Sequence, residues 1–139
     1  MQQAKVKYVD GLQFVGEASS GHAIVMDGEP EFGGNNTAVR PTELILIGLG
    51  GCTGMDVISI LKKKRQDVRG LEINVSGEKA QDYPKRFTDI GIEFVVTGKN
   101  ISEEAVKRAI GLSMERYCSV KATIEGPAKV HFTYRIVEG

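Results

Sequence analysis

The sequence predicts an α+β fold of order βββ-α-ββ-α-β, built as one domain over residues 1–139. Three observations predict it. Short apolar–polar alternation occurs near both ends of the chain, the period of a half-buried strand. One long apolar segment opens on Pro41, and a second stretch, over 102–117, repeats its apolar residues at helical spacing.

Residues 5–9, 12–16 and 23–26 are the first three strands. Asp10-Gly11 separates the first two as a hairpin signal, and Ser19-Ser20-Gly21 separates the second from the third. Residues 27–39 are rich in Gly, Asn, Pro and Glu and are expected to form an exposed, mobile loop. Residues 41–65 form the first helix, with Pro41 in its first turn and Lys62-Lys63-Lys64-Arg65 at the negative end of its dipole. Its first half is apolar on nearly every side, so burial is expected rather than amphipathicity. Gly48, Gly50, Gly51 and Gly54 disfavour a helix, and their number implies that another backbone passes close by. Residues 71–77 and 90–96 alternate and make a long hairpin around Pro84. Ser102 caps the second helix, 102–117, on which Ala105, Ala109, Leu112 and Tyr117 recur. Gly126-Pro127 breaks the chain before a last strand, 130–137, and the strands are expected to run in antiparallel hairpins.

Composition narrows the function classes. Eighteen basic residues balance eighteen acidic ones, so nothing in the net charge recruits nucleic acid or an anionic membrane. The longest apolar tract, 44–52, is interrupted by Gly and falls far short of the roughly 20 residues of a membrane span, and the N-terminal residues lack a signal peptide's apolar core. A cytoplasmic location is expected. Residues 43–54 imitate a strand, Gly-rich turn and helix that bind a dinucleotide, but Gly48-x-Gly50 would need a third Gly at position 53, where Thr53 stands. No cofactor is expected.

The chemistry-bearing residues are few. Cys52 lies in the Gly-rich part of the first helix, and Cys118 lies far along the chain at the end of the second. With His22 and His131 they match no zinc-module spacing, so no metal is expected. Cys52 can be read as a small buried hydrophobe or as a reactive thiol. In favour of the second, the only two cysteines fall on the only two long helices, which should pack together, and Asp56 gives Cys52 a polar neighbour one turn on. Neither cysteine is expected to start a helix.

Several segments together carry a resemblance. Arg40-Pro41-Thr42-Glu43-Leu44, Gly48 and Gly51-Cys52 resemble the first-cysteine helix of the OsmC/Ohr family. Pro84-x-x-Phe87-Thr88-x-Ile90-x-Ile92-x-Phe94 and Ser113-x-x-x-x-Cys118-Ser119-Val120 are similar to the family's long strand and second-cysteine segment. Ser20-Gly21-His22 through Asp27-Gly28 looks closest to the OsmC-like branch. The resemblance implies an OsmC-like fold: an intertwined homodimer with central helices flanked by antiparallel sheets. It implies a stress-response enzyme that confers hydroperoxide resistance, a thiol peroxidase acting on organic hydroperoxides. Cys52 would form a sulfenic acid, Cys118 would condense with it to a disulfide, and an external dithiol would reduce the disulfide. The alternative is a binding or carrier protein on the same scaffold with little peroxidase activity. The family holds its thiolate with a helix Glu and an N-terminal Arg. Here Glu43 lies one position, about 100° around the helix, beyond the matching position Thr42. Residues 5–26 contain no Arg, so Arg40 is the candidate cation. It precedes Cys52 by about 18 Å of ideal helix, so its route to a thiol is a dimer interface or a reversal of the chain.

Overall fold

The first strand, β1 (Ala4–Asp10), pairs antiparallel with β2 (Gln13–Ala18), and β2 with β3 (Ala23–Met26), in a three-stranded meander. In this computed structural model, which describes all 139 residues, the chain forms two compact units, Met1–Ile45 and Leu46–Gly139. The predicted β1–β2 turn is present, with Gly11 at φ +57°, a conformation that glycine adopts without a Cβ penalty. Val6, Tyr8, Ile24 and Val25 of this sheet are exposed.

One side chain organises the segment after β3. Asp27, 1% exposed, turns its carboxylate inward. It accepts hydrogen bonds from the backbone N–H groups of Gly28 (2.7 Å), Asn35 and Thr37 (3.1 Å), and from the Thr37 hydroxyl. Gly34 packs directly on the Gly28 backbone, where a Cβ has no room. Polar composition signalled a loop correctly. What it did not show is that one carboxylate satisfies three backbone donors at once. The hydroxyl bond from Thr37, with the backbone donors adding to it, lowers the Asp27 pKa to about 2 against the opposing effect of burial.

The second unit is organised around a long hairpin, β4 (Asp67–Lys79) and β5 (Phe87–Lys99). On its core side, Ile90, Ile92, Phe94 and Val96 of β5 are buried at the period-2 spacing of a strand. Against them lie α1 (Pro41–Lys63), through Leu49, Val57 and Leu61, and α2 (Glu103–Leu112), through Ala105, Val106, Ala109 and Ile110. Ser102 caps α2 as expected, accepting from the Ala105 N–H at 3.2 Å. Two of the four helix glycines meet a neighbour: a Cβ on Gly50 would stand 3.1 Å from Val75, and one on Gly54 3.4 Å from Ile73. Gly48 and Gly51 face open space.

Four expectations need correction. The last strand, β6 (Lys129–Glu138), pairs with β5 in parallel, so this sheet, ordered β4-β5-β6, is mixed rather than antiparallel. A parallel partner requires a crossover connection, and the helical segment between β5 and β6 is that connection. The second helix is shorter than expected: α2 ends at Leu112, and Ser113–Tyr117 forms a π turn. A further helix, α3 (Ser119–Ile124), follows it. Finally, α1 is not buried all round; Ile45, Ile47 and Met55 are exposed. By length and composition it is nonetheless apolar enough to cross a membrane, an 18-residue window of it having a mean hydropathy of 2.0. A core helix passes the same test, and its Leu49–Val57–Leu61 stripe is packed in the core.

Candidate thiol site

The core stripe of α1 fixes the orientation of the thiol beside it. With Leu49, Thr53, Val57 and Leu61 facing inward at steps of four, Cys52 and Asp56 share the adjoining face and are both half-buried. Cys118 arrives from the other side of the core. The π turn closes with its N–H bonded to the Ser113 carbonyl at 2.8 Å, one residue wider than an α-helical turn. Cys118 then leaves the helix in an extended conformation, 4% exposed, and starts α3 as its cap, its Sγ accepting from the Lys121 N–H at 3.4 Å. The expectation that neither cysteine starts a helix fails here, because the π turn ends the preceding helix early.

The two sulfurs and a carboxylate oxygen of Asp56 all lie within 4.8 Å of one another. Behind them runs a buried hydroxyl chain. Ser113 donates its hydroxyl proton to Asp56 Oδ2 at 2.8 Å, so the 2.7 Å contact between Thr53 Oγ1 and Ser113 Oγ has Thr53 as donor. Asp56 is therefore held by a side chain that is itself held. Burial raises the Cys118 pKa to about 11; the Lys121 N–H works against this, while Cys52 and Asp56 add to it. Cys118 is thus a neutral thiol at neutral pH. A groove is lined by Met55, Ile60, Leu112 and Tyr117 together with the polar Asp56, Ser59, Lys63 and Lys64.

Residues 33–133 match the family model described as OsmC-like protein. The chain belongs to the OsmC-like family. Protein YhfA of Escherichia coli K12 is 43% identical over 135 residues, which cover 97% of this chain and 98% of YhfA. A hypothetical protein from Aquifex aeolicus VF5 superposes with a TM-score of 0.87 at 29% identity, over 100% of this chain and 98% of that one. The organic hydroperoxide resistance protein OsmC from Legionella pneumophila shares the fold at a TM-score of 0.69 and 16% identity, with 96% of each chain covered. The mixed α+β architecture expected from the sequence is that of the OsmC-like proteins.

Within this OsmC-like chain the structure brings together Cys52, Cys118 and Asp56. It also brings together Arg40 and Glu43, but with each other and the Asp27 loop. Glu43 Oε1 accepts from the Arg40 backbone N–H at 2.7 Å, which caps the start of α1. The Arg40 guanidinium donates to the Ala38 carbonyl (2.9 Å) and Asn36 Oδ1 (2.7 Å), and lies 3.9 Å from Glu29. His22 is exposed, and His131, on β6, bonds Asp89 at 2.7 Å. Sequence reading missed Thr53 and Ser113 as site residues. The signal was present: each is a hydroxyl on an otherwise apolar helical stripe, and a buried hydroxyl needs a partner.

Proposed function

We propose that this protein is a thiol-dependent peroxidase that reduces organic hydroperoxides in the cytoplasm, with Cys52 as the attacking thiol and Cys118 as the resolving one. The observation that carries the reading is the thiol pair itself, Cys52 on α1 and Cys118 at the cap of α3, distant in sequence, whose sulfurs lie within 4.8 Å. Their surroundings divide the roles. Cys52 is the more exposed sulfur, whereas Cys118 is buried and held neutral by its raised pKa. In the groove beside Asp56, the side chains of Met55, Ile60, Leu112 and Tyr117 offer contact to the apolar part of an organic peroxide.

The Cys52 thiolate attacks the terminal peroxide oxygen, forming an S–O bond as the O–O bond breaks, and the departing alkoxide takes a proton to become the alcohol. Cys118 then attacks the Cys52 sulfur. The S–S bond forms, the S–O bond breaks, and hydroxide leaves as water with the Cys118 proton. An external dithiol returns both cysteines to thiols. As the cation that holds the Cys52 thiolate we assign Arg40 from a second copy of the chain, its backbone fixed by Glu43. Arg40→Met should slow hydroperoxide reduction about tenfold, ~1.4 kcal/mol of transition-state stabilisation.

One equivalent of an organic hydroperoxide should lower the intact mass of the reduced protein by two hydrogens. In Cys118→Ser the reaction should stop at a sulfenic acid that dimedone traps on Cys52. A wild-type protein left unchanged by peroxide would remove the peroxidase and leave a binding protein on this scaffold.

A further inference from the structure

Cys52 and Asp56 sit at i and i+4 on α1, and Cys118 faces them from the π turn. We propose that Cys52, Asp56 and Cys118 are the three protein ligands of a site for a thiophilic divalent cation of the zinc class. Two thiolates and one carboxylate are a donor set that zinc accepts, with Zn–S of about 2.3 Å and Zn–O of about 2.0–2.2 Å. Tetrahedral bonds of those lengths place the ligand atoms about 3.4–3.8 Å apart. Here all three lie within 4.8 Å of one another, so binding an ion requires only that they draw in by about 1 Å. Three protein ligands leave a fourth position open, and the partly exposed Cys52 marks the side from which an ion and a water enter.

The outer contacts are those of a metal site. A ligating carboxylate is itself hydrogen-bonded, which orients it. Here Ser113 bonds Asp56 Oδ2, and Thr53 backs Ser113. A metal-bound thiolate is stabilised by an N–H donor, and the Lys121 N–H points at Cys118 Sγ. The spacing matches no zinc module because only two ligands are local. The third, Cys118, is remote in sequence from Asp56 and reaches the site through the fold.

The site shares its cysteines with the proposed peroxidase without resting on it. A metal-bound pair is masked from peroxide, and a disulfide cannot ligate, so metal occupancy and oxidation exclude one another.

The test uses the full-length, fully reduced chain, stripped of metal, titrated with Co²⁺ in the absence of peroxide. Expected are one cobalt per chain, a thiolate-to-cobalt absorption band, the d–d bands of a tetrahedral ion, and displacement by Zn²⁺. Asp56→Asn should weaken binding at least tenfold, and Asp56→Glu should restore part of it. Ser113→Ala should cost about 10–100-fold in affinity, as the loss of an outer-contact residue does. Circular dichroism establishes that each variant is folded. Absence of the thiolate band in the wild type, one ion per two chains, or an Asp56→Asn titration that overlays the wild type would each overturn the site. None of these outcomes touches the peroxidase reading, because the mass measurement with hydroperoxide decides that separately.

Discussion

Cys118 shows how much a single environment decides. The same thiol in water would be partly ionised at mildly alkaline pH, but burial moves its pKa to about 11. Alkylation of reduced protein with a small reagent should therefore modify Cys52 first. Cys118 should remain unmodified through pH 9 and gain reactivity only as the pH nears 11; peptide mapping across a pH series reads this directly. Modification of both cysteines at equal rates at pH 8 would show that Cys118 is not held neutral. In the sequence the pair of cysteines was visible, and so was Asp56 beside the first. Which cysteine is buried was not, because that depends on the π turn, whose few residues carry no periodicity of their own. The hydroxyls of Thr53 and Ser113 signalled that each needs a partner, but a lone Thr or Ser on an apolar stripe does not name that partner on a different element.

At the scale of elements, the segment after β3 carries its own pH dependence. The Asp27 carboxylate has a folded pKa of about 2 against an ordinary value of 3.8, so its ionised form is the one that folding favours. The stabilisation is complete above pH 3.8 and is lost as the pH falls through about 2. Amide exchange at Asn35 and Thr37, whose N–H groups bond this carboxylate, should accelerate on acidification over that window. Asp27→Asn should be destabilised at neutral pH and lack the acid step; an unchanged step would place the titration on another group. Strands and helix starts were readable here because they rest on local pattern. The 3₁₀ turn (Pro30–Phe32) and the inward carboxylate were not, since each depends on contacts across the whole loop. The parallel placement of β6 was also beyond a pattern that gives a strand's faces but not its direction.

For the whole molecule, two apolar surfaces stand open. One is the face of α1 with Ile47 (56% exposed), Gly48, Gly51 and Met55 (73%); the other is the first sheet, with Val6, Tyr8 and Ile24. Exposed apolar area on this scale is the mark of an interface. A second copy of the chain, as the OsmC/Ohr resemblance implies, is the occupant we propose. Light scattering at micromolar concentration should give twice the chain mass of 15.1 kDa. Charged substitution at two outward positions, Ile47→Lys with Met55→Lys, should shift the protein to monomer; a wild-type monomer would leave both faces without that partner. The all-round apolarity of α1 led to an expectation of burial that one chain meets for only part of the helix.

The crossover between β5 and β6 also sets an order of assembly. The β4–β5 hairpin joins neighbours in sequence, whereas β6 pairs with a strand well before it, Asp89 with Lys129 at its start. Such distant pairing closes a loop before it is rewarded, and so it forms late. Cys118 rides on that loop. A refolding chain is then expected to form the hairpin before Cys118, carried on the β5–β6 connection, meets Cys52. The capacity to form the disulfide is in this sense a product of completed folding.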